Sequence, residues 1–125
     1  MLRDFLLVGM GSFLGGGSRF IVSKVIQAWA PLSFPLGTFA VNILGCLIIG
    51  FLSGLHWPGG WMSPSMKLVL TTGFCGGFTT FSTFMNESTA LMRDGNYLYF
   101  ALYIGLSVTL GLIAVVVGNA CAKMI

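Results

Sequence analysis

The chain has 125 residues, of which 56% are hydrophobic and 7% charged, with six basic and three acidic side chains giving a formal net charge of +3. A soluble domain carries about 25% charged residues, so this composition excludes a soluble globular protein, and the length leaves no room for a separate catalytic domain. Uncharged runs cover residues 25–66, 68–86 and 95–122, and a membrane span needs roughly 20 mainly apolar residues.

Four spans are predicted, near residues 5–30, 36–56, 67–92 and 97–122, forming one all-α transmembrane unit over residues 1–125. Residues 31–35, with a proline at either end, and residues 57–65 act as breakers between them. The first apolar stretch is long and lacks a clear small-residue cleavage site, so it is expected to be retained rather than removed as a signal peptide. It carries Arg19 a turn or so inside Lys24. This base either snorkels to the interface or sits in a water-filled vestibule where it concentrates anions.

Glycine supplies 18 residues, about twice its usual share. Gly11/Gly15, Gly50/Gly54 and Gly73/Gly77 repeat at a four-residue spacing that lets membrane helices approach closely. Each pair fits close packing within one subunit or between subunits, and the three together favour a tightly packed oligomer. Cys46, Cys75 and Cys121 are odd in number and fall in predicted spans, which argues for inert thiols rather than a disulfide framework.

In the second span, Asn42 must find a partner for its amide. It either bonds between helices or donates its NH₂ to an anion. The third span holds the most informative stretch, residues 73–84, where glycines and hydroxyls interrupt an apolar run. Non-helical backbone at membrane depth is tolerated only where it is buried in protein or lines a polar cavity.

A break is expected at Gly76-Gly77, with freed carbonyls able to coordinate a small cation and Thr79 or Thr80 capping the restarted helix. The alternative is a simple glycine kink. Phe81 and Phe84, three residues apart, share a helix face, with Thr80, Ser82 and Thr83 placing hydroxyls around them. Such a stripe can be core packing. A phenyl edge is also mildly positive, which suits a conduit that must bind an anion weakly enough to release it. Glu87, just beyond, is either an interfacial acid paired with a base or a vestibule residue. His56, beside Trp57, reads as part of an aromatic belt.

Arg3, Lys67 and Lys123 fall on one side of the membrane and Lys24, Arg93 and Arg19 on the other. The positive-inside rule acts through an excess of bases, so this balance suits insertion in both orientations and an antiparallel two-fold dimer. The sequence contains no metal-ligand cluster and no nucleophile-and-base constellation, so an enzyme is not expected, nor is a nucleic-acid partner.

The chain resembles the Fluc-type, or CrcB-like, fluoride channels along its whole length. The resemblance is carried by the glycine-rich first span ending in Arg19-Phe20, the Gly37-Thr38…Asn42 segment, the third-span signature from Thr71 to Phe84, and Gly95-Asn96-Tyr97 before the last span. It implies a multi-pass protein of the cell's inner membrane that passively exports fluoride, works as a dual-topology homodimer, and carries a structural Na⁺ that is not transported. It further implies that Asn42, Phe81 and Phe84 contact fluoride and that the main-chain carbonyls of Gly76 and Thr79 hold sodium.

The family's polar track on the last span is matched in type by Tyr103 and Ser107, whereas Gly111 and Val115 depart from it. Two rival readings are a small dual-topology proton-coupled multidrug exporter and a non-conducting structural subunit. The first calls for a deeply buried carboxylate, yet Asp4 and Asp94 lie at segment ends and Glu87 near one. The second gives no reason for the Asn42–Phe81–Phe84 constellation.

Overall fold

The computed structural model describes residues 1–30, 32–55 and 63–124, and the regular structure among them is entirely helical. In chain order it comprises α1 (Leu2–Trp29), α2 (Leu36–Gly54), α3 (Pro64–Leu68), a π-helical stretch (Val69–Cys75), α4 (Gly76–Phe78), α5 (Ser82–Arg93) and α6 (Tyr97–Lys123). Four segments are long and apolar enough to cross a membrane: Leu2–Trp29, Leu36–Gly54, Pro64–Arg93 and Tyr97–Lys123. The shortest has 19 residues, about 28 Å of helix, which matches a hydrocarbon core of about 30 Å.

The connections follow local chemistry. Gln27 clips the link between α1 and α2: its Nε2 donates to the carbonyls of Leu32 (3.1 Å) and Phe34 (3.2 Å), and its Oε1 accepts from the Gly37 N–H (3.0 Å). Residues 56–62, which include His56 and Trp57 and hence the predicted aromatic belt, lie outside the described residues. The third span opens with Pro64 in the first turn and the Ser63 hydroxyl accepting from the Met66 N–H at 3.1 Å. Between α5 and α6 the chain reverses at Gly95, whose φ of +77° disfavours a side chain.

α1 packs along the third span and α2 packs along α6. At Gly11 and Gly15 an added Cβ would strike the Val69 and Phe74 carbonyls, and at Gly118 it would lie 2.7 Å from the Phe51 nitrogen of α2. The glycine pairs therefore close seams within the subunit, the first of the two packings that their spacing allowed. The interior is thin: among the described residues the large side chains that are fully buried are Tyr103 and Val41, while most leucines of α1 and α6 and Phe5, Phe13 and Phe20 of α1 are exposed. Cys46, Cys75 and Cys121 are free thiols.

Candidate functional site

The third span is interrupted, but not at its glycines. Gly76 and Gly77 are helical, and the chain leaves the helix at Thr79 (φ −92°, ψ 162°) before restarting at Ser82. The cause lies on another helix. Asn42 of α2 grips the main chain of Thr80 with both ends of its amide, accepting from the Thr80 N–H at 2.8 Å and donating to the Thr80 carbonyl at 3.0 Å.

In an unbroken helix the Thr80 N–H would bond the Gly76 carbonyl. One turn on, the Thr83 N–H goes to the Thr80 hydroxyl (3.3 Å) rather than to the Thr79 carbonyl. The Gly77 carbonyl, which would otherwise await the Phe81 N–H, accepts from Arg19 Nε at 3.1 Å. Gly76 and Thr79 thus have their helical donors diverted to side chains, whereas Gly77 is capped by a cation. Gly76 is also open, with nothing within 4 Å of an added Cβ.

A groove of about 480 Å³ runs beside this break, and Asn42, Thr79, Thr80, Phe81, Phe84 and Ser107 are among its lining residues. Phe81 and Phe84 form an edge-type pair with centroids 6.2 Å apart and planes at 65°. Their environments differ: Phe84 is 7% exposed within an aromatic cluster that includes Phe34, Phe39 and Tyr103, whereas Phe81 is 72% exposed. The Ser107 hydroxyl is buried and has no hydrogen-bond partner among the described residues. A buried hydroxyl without a partner costs stability, and this one lines the groove.

The remaining predicted site residues divide. Thr80 and Thr83 share a hydroxyl bond of 3.1 Å at the restart of α5, so their chemistry goes mainly to capping, and neither Ser82 nor Thr83 lines the groove. Tyr103 is completely buried, with its ring 4.9 Å from that of Phe84 and nearly perpendicular to it. Its hydroxyl donates to Glu87 Oε1 at 2.9 Å, and Thr38 Oγ1 donates to Glu87 Oε2 at 3.1 Å.

Thr38 was not predicted as a site residue. Its signal was available, since it lies four residues before Asn42 and hence on the same face of α2. Gln27 was missed as well, because a lone amide near a span end has no local signature. Glu87 and Lys24 border a polar cavity of about 400 Å³, whereas Arg19 is tied to the interrupted segment.

Residues 6–119 match the family described as CrcB-like protein, Camphor Resistance (CrcB). The chain belongs to the CrcB-like family. Among its relatives is a protein of Chlorobaculum tepidum named fluoride-specific ion channel FluC, 46% identical over 99% of this chain and 98% of that protein. Proteins of the same name from Chlorobium luteolum (48% identical, 94% of this chain and 91% of that protein) and Nitratidesulfovibrio vulgaris (43%, 99% and 100%) are similar over nearly their whole lengths. With four apolar spans, this CrcB-like chain is a multi-pass protein of the cell membrane.

Proposed function

We propose that the chain is a fluoride-selective channel that passively exports cytoplasmic fluoride and thereby relieves its toxicity. Hydrogen fluoride crosses lipid, dissociates in a more neutral cytoplasm and accumulates as an anion that needs a conduit. The observation that carries this reading is the groove beside the interrupted span, where donors of several kinds converge without a full positive charge. Asn42 spends one N–H on Thr80 and keeps its second. Ser107 supplies a hydroxyl, and Phe81 and Phe84 supply ring edges. Such weak donors can replace the water around a small anion and still release it. The same name is carried by the close relatives of this conduit.

The working unit in this proposal is an antiparallel homodimer of one four-helix subunit, in contact with lipid on its outer faces. Two features support it. The basic residues are balanced between the two sides, and Phe81 projects from a groove whose wall is incomplete in one subunit. A second copy covers that wall and completes two pores.

A structural Na⁺ fits the main chain at the same break. The Gly76 and Thr79 carbonyls have their helical donors diverted, and Gly76 is open to close approach, so two copies would present four hard oxygen ligands, the donor type such a cation prefers. Sodium there would hold the two interrupted spans together without being transported.

The test is fluoride release from liposomes containing only this purified polypeptide, followed with a fluoride-sensitive electrode against a chloride control. Fast release of fluoride with chloride retained is the expected result. Release no faster than from protein-free vesicles would remove the channel assignment.

A further inference from the structure

Between the phenylalanine pair and the outer surface the polar groups are already engaged. Tyr103 lies against the inner ring of that pair, packed on Phe84 with its hydroxyl donating to Glu87. Thr38, 7% exposed, directs its hydroxyl to the other oxygen of the same carboxylate. A hydroxyl has one hydrogen to donate, so both are committed to an anion that the protein itself carries. Glu87 borders two polar cavities. Lys24 lines the one of about 400 Å³, and Asp94 lines the other, of about 280 Å³. The carboxylate therefore has open space and a base on one side, and an acid on the other.

We propose that the Glu87 carboxylate is a resident competitor for fluoride: it occupies the Thr38 and Tyr103 hydroxyls, and the permeating ion takes them as the carboxylate swings toward the Lys24 cavity. The inference rests on the channel reading above and adds a specificity-determining exchange at the outer end of the path. Chemical likeness makes the exchange work. A carboxylate oxygen and fluoride are both small, hard acceptors of short charge-assisted hydrogen bonds, so one replaces the other with no hydroxyl left unbonded. Chloride, larger and a weaker acceptor, cannot make the replacement at the same spacing. Rotation toward Lys24 keeps the displaced carboxylate near a cation instead of near the ion it has released.

The role predicts effects of opposite sign from neighbouring residues. In vesicles at neutral pH, Glu87→Gln should lower the half-saturating fluoride concentration by about fivefold, because a neutral amide holds the hydroxyls less firmly than a carboxylate. Tyr103→Phe and Thr38→Val remove a donor and should raise it. A purely structural Glu87 would move in the same direction as its partners.

Infrared difference spectra of the wild-type protein give a second measurement that needs no variant to fold. Adding fluoride, but not chloride, should shift a carboxylate stretching band. If Glu87→Gln and Glu87→Ala raise or leave unchanged the half-saturating concentration, or if saturating fluoride leaves the carboxylate bands unmoved while the wild type conducts, the competitor role is overturned and the channel reading stands. If the wild type conducts no fluoride, both fall.

Discussion

The glycine seams and the interrupted third span solve opposite problems with the same kind of residue. Along α2 and α6, and along α1 and the π-helical stretch, glycine removes side chains so that backbones touch, and the seam leaves no space for an ion. At Thr79–Phe81 the backbone leaves the helix, side chains from two other helices take its polar groups, and a groove stays open. Rigidity and permeability are thus separated within one small subunit. The seams hold α1, α2 and α6 in place, and the break supplies the polar groups that lipid would forbid in a helix with no supporting partners.

Filling a seam should have the largest effect. Gly118→Val places carbon atoms against the backbone of Leu47 and Phe51, an overpacking that costs at least about 3 kcal/mol because neither backbone can rotate away. Little assembled protein should survive size-exclusion chromatography in detergent, and a normal peak of the proposed dimer would show that the seam is softer than its contacts imply.

Breaking the other region should spare folding and abolish conduction. Asn42→Asp retains the acceptor for the Thr80 N–H but sets a carboxylate oxygen against the Thr80 carbonyl and removes the donor into the groove. Loss of this part-buried amide bond, with a carboxylate set against a carbonyl in its place, corresponds to a fall in flux of about a hundredfold, measured on protein that elutes as the wild type does.

Replacing sodium by a large organic cation acts on the same break from the backbone side. Dimer stability and fluoride flux should both drop, whereas sodium flux should be absent in either medium; unchanged thermal unfolding on sodium removal would discard the Gly76–Thr79 site. Ser107→Ala removes one neutral donor and should slow fluoride release by about fivefold. The smallest effect belongs to Gly9→Ala, where nothing lies within 4 Å of the new Cβ, and the rate should stay at the parental value.

The spans were legible because a continuous apolar run is a local signal. Predicted limits of 36–56 and 97–122 compare with Leu36–Gly54 and Tyr97–Lys123, and Phe81 and Phe84, expected to share a helix face, have rings 6.2 Å apart with Phe81 at the N-cap of α5. The position of the break was not legible. Local propensity assigns it to Gly76-Gly77, but Gly77 is needed for the approach of α1, where an added Cβ would lie 2.6 Å from the Ser12 carbonyl oxygen. The interruption is instead imposed by Asn42, 38 residues away from Thr80.

For Asn42 the structure shows the first of the two readings kept open in the sequence, a bond between helices made by Oδ1 and one N–H to the Thr80 main chain; the proposed channel assigns the second, donation to an anion, to the remaining N–H. The commitment of Tyr103 and Thr38 to Glu87 could not be read from spacing, since it joins three helices that meet only in the fold.

The central claim is that the groove beside Thr79–Phe81 is the path of the ion, and Phe81 tests it most directly. Its ring lines the groove yet is 72% exposed in the subunit, so Phe81→Ile should remove the positive ring edge without disturbing the fold. Fluoride release should be compared for wild type and Phe81→Ile at equal amounts of intact dimer in liposomes. The account predicts that the variant is slower by up to about tenfold, the scale of a lost aromatic-edge interaction. Release at the parental rate by folded Phe81→Ile dimers would contradict it.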